Sequence, residues 1–335
     1  MLDIFLFAMN AVFPIVILIG LGYFLKYIRI IDQHFIMIMN KYIFRVGLPI
    51  LLFYNVYEID SFKDINWEIV IFSSVVTIFV FTVGIVVANI SSKDERQKGV
   101  LLQSFFRSNF ALLGIPLVEI LGGAEALAVV SILAAFSIPI ANILSVISLT
   151  MFRKNDIGER ISIRVMLKTI LANPLIVAVL LGLSVLILRV FIPRENGELV
   201  FSLKNNMPFM VNAMKLVTQA TSPMALIALG GQFQLSVIRP LLKKITIGVT
   251  VRIVVVPFIV YYLVYLLQDK YSGLLVGLPA LIGLFGTPVA ISSMAMTAEM
   301  DGDEQLAGQL VIWSTVFSII TIFFTIVILK SIGMF

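Results

Sequence analysis

The stretch RSNFALLGIP at residues 107 to 116 sets a fixed cation and an amide before an apolar run that closes on Gly-X-Pro. Proline removes a backbone donor and collides with the carbonyl four residues back, while glycine relaxes the backbone beside it. A helix passing through Gly114, Ile115 and Pro116 is therefore expected to break or unwind, and so is one through Gly286, Thr287 and Pro288. The N-terminus of a half-helix presents unpaired N–H groups and the positive end of a dipole, which suits an anion and above all a carboxylate.

Basic and amide side chains near these breaks carry the same chemistry. Arg107 and Asn109 stand beside the first break, and Asn212, Lys215, Gln219 and Ser222 form a polar stripe at helical spacing. Arg107 falls roughly 13 Å inside its expected span at 1.5 Å per residue. Lys41, Arg45 and Arg252 also fall within apolar runs, and an ionisable group at such depth is costly unless it faces a cavity or a partner. No aspartate or glutamate sits clearly mid-span, so an anionic substrate could supply the missing counter-ion. Plainer readings stand beside these. Arg107 could pair with a loop acid or helix-end carbonyls; Lys41, Arg45 and Arg252 could snorkel to the interface; Asn109 and Asn142 could merely cross-link helices. Asn55 reads as the outer end of a span.

The elements that must position these residues are membrane helices. Of the 335 residues 60% are hydrophobic and 13% charged, and mean hydropathy is +1.08; a soluble domain is nearer a quarter charged. A membrane helix takes about 20 apolar residues, so the chain allows roughly ten spans and no sizeable soluble domain. The runs lie near 4–25, 36–57, 67–90, 98–121, 124–151, 165–190, 208–233, 244–267, 272–298 and 305–330. The first is read as a retained span, since no basic stretch precedes it and no small-residue cleavage pattern follows.

Basic residues cluster in alternate loops, around Lys26 and Arg29, Lys93 to Lys98, Arg153 to Arg164, and Arg239 to Lys244. By the positive-inside rule those loops face the cytoplasm and both termini lie outside. The acidic loop Glu299 to Glu304 gives that orientation no help. The same scatter of charge argues against nucleic acid as the partner of a chain with net charge +5, and the lipid bilayer explains it better. Halves compared in order share proline and glycine spacings: Pro14 and Gly22 with Pro174 and Gly182, Lys41 and Pro49 with Lys215 and Pro223, and the two Gly-X-Pro sites. With five spans in each half, that order predicts two repeats of opposite topology.

At these residues the chain resembles the auxin efflux carrier family, which includes plant PIN-type auxin exporters and bacterial malate or malonate permeases. The resemblance is carried by GLPILLF at 47–53, RSNFALLGIPL at 107–117, NPLIVAVLLGL at 173–183, SPMALIALGG at 222–231, RIVVVP at 252–257 and GTPVAISSMA at 286–295. It implies an all-α membrane protein of the PIN and bile-acid-symporter type: ten transmembrane helices in two inverted five-helix repeats, with broken helices 4 and 9 crossing beside the substrate. Residues 1–152 would form the first repeat, 153–164 a cytoplasmic linker and 165–335 the second. Helices 1, 2, 6 and 7 would form a scaffold, and helices 3–5 and 8–10 a transport domain moving by an elevator mechanism in a homodimer. By position, Asn109 and Pro116 belong to the first crossing and Pro288 to the second, where no asparagine precedes Gly286 and Thr287. The long loop of some plant members is missing between spans 5 and 6, so kinase control through it is not expected.

The expected function is thus transport of a small organic carboxylate such as malate, malonate or an auxin-like acid. Its expected binding residues are Arg107, Asn109, Gly114, Ile115, Pro116, Lys215, Gln219, Gly286, Thr287 and Pro288. A sodium- or proton-coupled symporter is the near alternative, but it calls for buried carboxylates; a uniporter or potential-driven exporter is favoured, with coupling through substrate protonation left open. An intramembrane enzyme would need metal ligands, a nucleophile with its base, or paired carboxylates. One histidine, His34, and no cysteine argue against that, and no cofactor or metal is expected. A membrane sensor that kept the carrier fold without flux is the remaining alternative.

Overall fold

The computed structural model describes residues 2–58, 66–152, 168, 171–195, 198–232 and 238–334. In chain order the helices are α1 (Leu2–Tyr27), α2 (Gln33–Tyr42), α3 (Leu48–Tyr57), α4 (Trp67–Ser91), α5 (Glu95–Phe106), α6 (Ile115–Met151) and α7 (Pro174–Arg189). A two-stranded hairpin of β1 (Arg194–Glu195) and β2 (Glu198–Leu199) follows. Then come α8 (Leu203–Asn206), α9 (Pro208–Gly231), α10 (Ile238–Thr250), α11 (Val256–Leu267), α12 (Ser272–Val276), α13 (Leu278–Gly286), α14 (Ser292–Glu299) and α15 (Glu304–Ser331).

Three π-helical segments, Ile43–Gly47, Phe110–Gly114 and Val251–Val255, join α2 to α3, lead into α6 and join α10 to α11. Each stops two residues before a proline: Pro49, Pro116 and Pro257. The carbonyl four residues before each proline, on Arg45, Leu112 or Ile253, lies inside the segment. It loses its ordinary N–H partner and meets the ring, and a locally widened helix relieves both effects.

The expectation of ten transmembrane helices in two inverted repeats is corrected by the structure. Among the described residues, five helices are long and apolar enough to cross a membrane: Gln33–Tyr57, Trp67–Ser91, Ile132–Met151, Arg239–Leu267 and Glu304–Ser331. Val16–Tyr27, Phe110–Gly123 and Pro174–Arg189 are shorter apolar helices. Hydropathy alone fuses pieces that the backbone separates. The run 98–121 is cut after Phe106, α6 is kinked at Gly123 (φ 62°, ψ −151°), and the run 272–298 divides into α12, α13 and α14. Helix α9 is long enough, but it carries the stripe Asn212, Lys215 and Gln219.

The paired prolines do not mark equivalent backbone either. Pro14 lies inside α1 whereas Pro174 opens α7. Pro49 opens α3 whereas Pro223 lies inside α9. The first Gly-X-Pro follows an interruption, and the second stands in one. The expected linker 153–164 lies outside the described residues.

Loop ends are tied by side chains. Arg96 donates from Nε to the Asp301 carbonyl at 2.8 Å and from its terminal nitrogen to that of Gly302 at 2.9 Å, and Gln97 donates to Asp303 at 2.8 Å. The acidic turn before α15 therefore lies at the same end as the basic turn before α5, each offsetting the other's charge.

Helices α1 and α9 approach until their backbones touch. A Cβ on Gly22 would run into the Ile227 carbonyl, and one on Gly230 into that of Ile19, whereas Gly20 has nothing within 4 Å. Gly22→Ala is expected to lower the unfolding midpoint of the detergent-solubilised protein, because relieving the overlap costs about 1–3 kcal/mol. Gly20→Ala, with the same gain in helix propensity, is expected to leave it unchanged or raise it. Equal shifts in the two melting curves would refute the close contact.

Candidate functional site

Two interrupted helices meet at the centre of the site. Helix α5 ends at Phe106, the chain leaves the helix through Arg107, Ser108 and Asn109, and helical structure resumes at Phe110. Helix α13 ends at Gly286 and α14 begins at Ser292. The two interruptions pair with each other: Ser108 and Val289 form an antiparallel bridge. The Asn109 N–H donates to the Pro288 carbonyl at 2.8 Å and the Ala290 N–H to the Arg107 carbonyl at 3.1 Å. The Val289 N–H donates to the Ser314 hydroxyl at 3.0 Å. Backbone that has left the helix is thus paired inside the protein, the condition for irregular structure at bilayer depth.

Carbonyls at the C-terminal ends of both first halves remain, and these carry partial negative charge. Arg252, from the third π segment, reaches them. Its Nε donates to the Thr287 carbonyl at 3.0 Å, one terminal nitrogen to Leu284 at 2.9 Å and Phe285 at 3.3 Å, and the other to Phe105 and Phe106 at 3.5 Å. At 0% exposure the residue does not snorkel, which corrects that reading of its sequence position. A guanidinium's planar fork of five N–H donors is the one side chain that can serve both helix ends at once.

Arg107 is as buried, at 3% exposure, and far less satisfied. One terminal nitrogen donates to the Met296 sulfur at 2.7 Å, and the other to the Asn142 side-chain oxygen at 2.9 Å and the Ser292 hydroxyl at 3.2 Å. Every one of these acceptors is neutral, and a thioether is a weak one. Because arginine only donates, its bond to Asn142 fixes that amide's orientation and turns the NH2 group away. The Asn142 nitrogen, the Asn109 nitrogen and the Ser137 hydroxyl are all buried with no hydrogen-bond partner. Their residues are 2%, 3% and 5% exposed. Leaving a buried donor unmade costs about 1–3 kcal/mol.

These four groups line one cavity of about 40 Å³. A much larger vestibule of about 800 Å³, lined by Gln33, His34, Lys41, Arg45 and Glu304 among others, opens at the end that carries the turns before α2 and α15. A gap of about 20 Å³ lies between them. It shares Asn40, Phe44 and Met294 with the vestibule and Leu48, Leu112 and Ser292 with the cavity, so the apolar walls it shares come from Phe44, Met294, Leu48 and Leu112. Those four apolar side chains plug the route from vestibule to cavity.

The family profile described as membrane transport protein matches residues 7–326. The chain belongs to this family, that of the auxin efflux carriers. No curated protein matches it. The chain is therefore a multi-pass membrane transport protein and not an enzyme, and the cavity at the crossing is where its substrate chemistry can be sought.

Within this transporter, two of the ten sequence-derived residues, Arg107 and Asn109, line the cavity. Gly114 serves packing instead, since a Cβ there would meet the Phe110 ring at 2.5 Å and the Gly283 carbonyl at 2.7 Å. Ile115 and Pro116 begin the helix beyond the π segment. Gly286 leaves room for the Tyr261 hydroxyl, 2.7 Å from where its Cβ would be. The Thr287 hydroxyl donates to the Gly283 carbonyl at 2.8 Å, and Pro288 accepts from Asn109; all three hold the crossing and do not line the cavity. Lys215 and Gln219 lie on the exposed face of α9, away from both cavities.

Residue spacing missed Ser137 and Ser292, and it left Asn142 as a cross-link. The available signal was the pair Ser137 and Asn142 flanking Pro139 in a long apolar helix, and a serine just after the second break.

The two arginines should separate in experiment. Arg252→Met strands the carbonyls of two helix ends and is expected to abolish folded, monodisperse protein. Arg107→Met removes a buried charge that has no carboxylate partner. It is expected to raise the melting temperature of the ligand-free protein by a few degrees, about 1–2 kcal/mol. Size-exclusion profiles and thermal melts of the two variants check both signs.

Proposed function

We infer that the chain is a carrier for small organic carboxylate anions. The observation that carries this reading is a buried guanidinium bound only to neutral acceptors, beside three buried donors without partners, in one cavity at a helix crossing. Each of these groups can donate to a carboxylate, and of them only the Ser137 hydroxyl has a lone pair it could turn toward a cation. Transfer of the anion from water would exchange its hydration for those donors and repay their desolvation in the same step.

The distribution of the lining supports alternating access of the elevator kind. Arg107, Ser108 and Asn109 in the first interruption, Ser137 and Asn142 on α6, and Ser292 at the start of α14 supply the polar groups. The continuous helix 33–57 and α7 contribute only Leu48, Leu52 and Leu175. A body that holds the ligand through all of its polar contacts can slide along an apolar wall without breaking hydrogen bonds to it. The vestibule at the basic-loop end and the small plugged cavity fit a state open toward that end. With positive loops inside, that end is the cytoplasmic one.

Purified protein tested against malate, malonate, succinate, lactate and indole acetate is expected to gain thermal stability with at least one acid. A ligand at about 100 times its Kd adds about 2.7 kcal/mol. The gain is expected to vanish in Arg107→Gln and to fall in Asn142→Leu. If no acid shifts the wild type, or if the shift survives Arg107→Gln, the reading is wrong.

A further inference from the structure

The link between α7 and α9 has a composition that suits neither bulk water nor hydrocarbon. It carries Arg194, Glu195, Glu198 and Lys204, charges that a bilayer core would exclude. Yet Phe191, Val200, Phe201 and Phe209 are each more than half exposed, and leaving that much apolar area to water is unfavourable.

Its place in the bundle reconciles the two. The Lys204 N–H donates to the Tyr57 hydroxyl at 3.0 Å, and the Arg189 guanidinium lies 4.0 Å from the centre of the Tyr57 ring. Tyr57 closes the span that begins at Gln33, a residue of the vestibule wall, so the link lies at the opposite end of that span. Trp67, half exposed, opens the next span after a short connection, and tryptophan collects at the boundary between membrane and water. On α7, Val177, Leu180, Leu181, Ile187 and Leu188 are exposed at helical spacing, the row that must meet lipid, and Phe191 falls one turn past its end. The apolar surface of the link thus continues a surface already facing acyl chains.

Backbone pairing points the same way. The N–H groups of Val190, Phe191 and Ile192 donate to the carbonyls of Ile187, Leu188 and Arg189 at 3.0–3.3 Å, and β1 pairs with β2. The Ser202 N–H donates to the Asn206 side-chain oxygen at 2.8 Å and the Asn205 N–H to the Ser202 hydroxyl at 3.0 Å. A loop standing free in water can leave such groups to solvent; one at the edge of a bilayer must pair them itself.

We propose that the link from α7 to α9 is an interfacial wing whose partner is the headgroup layer of the bilayer, with its phenylalanines at the acyl boundary and its charges among the headgroups. Two basic and two acidic residues cancel, so apolar insertion holds it and no anionic lipid is required. This goes beyond the carrier reading and does not depend on which ligand is carried. Because α7 supplies Leu175 to the apolar wall of the cavity, the wing fixes the depth of that wall in the membrane.

The test places one tryptophan in the wing, Phe201→Trp, in the full-length protein carrying Trp67→Phe and Trp313→Phe, reconstituted in phosphatidylcholine vesicles. Phe209→Trp in the same background repeats it if the first variant does not fold. Emission is expected to be blue-shifted from that of tryptophan in water. Quenching is expected to be about twofold or more stronger with acyl chains brominated near the ester end than near the methyl end, as a shallow position requires, and weak with aqueous iodide. Full quenching by iodide with none by brominated lipid puts the link in water and overturns the proposal. Stronger quenching by the deep bromines puts it in the hydrocarbon, and shielding from both quenchers means that protein, such as a second copy of the chain, covers it; either result also overturns the proposal.

Discussion

A single buried guanidinium makes the rest of this architecture tolerable. Two helices that stop in mid-course expose the carbonyls of their last turns, and in hydrocarbon those groups have no water to turn to. Arg252 collects carbonyls from both ends with one planar fork, and the non-helical segments pair with each other across Ser108 and Val289. Only with both debts of hydrogen bonding settled can the second halves of the helices begin afresh, and the residues at those new beginnings face a cavity. Gly114 and Gly283 let the crossing close, because a side chain on either would strike the other's carbonyl.

Seen from that staple, the two buried arginines divide stability from function. Arg252 is surrounded by carbonyls and belongs to the skeleton. Arg107, in the first interruption, is held by a sulfur, an amide oxygen and a hydroxyl, and its neighbours have donors to spare. A protein selected only to fold would replace such a cluster with leucine, as buried polar groups left unpaired are a net cost. Strain of this sort is retained where a ligand relieves it.

Proline placement gives the site its second design element. Each π segment puts an extra residue into a turn and so shifts which side chains face inward. The first supplies Phe44 and leads to Leu48, the second supplies Leu112, and the third supplies Arg252. Two of the segments thus build the plug between vestibule and cavity, and the third builds the staple. One local rule, a proline two residues past a widened turn, yields barrier and support at different points of the chain.

Hydropathy and motif order were enough to determine that this is a helical membrane transport protein, because burial in lipid imposes composition on every span regardless of partners. Spacing also marked Arg107 and Asn109, as a fixed cation and an amide beside a helix breaker are costly wherever they sit. The number of helices able to cross was not legible, since a window of apolar residues looks the same whether or not the backbone is cut at Phe106 or Gly286. Matched prolines in Pro14 and Pro174 carried no information about whether a helix continues through them or starts at them. Tertiary structure alone decided that Lys215 and Gln219 face outward, that Thr287 and Pro288 hold the crossing, and that Ser137 and Asn142 join Arg107. The physical reason is common to all of these: a polar side chain's role depends on which partners the packed helices bring to it, and residues such as Arg107 and Ser292 become neighbours only when two distant interruptions cross.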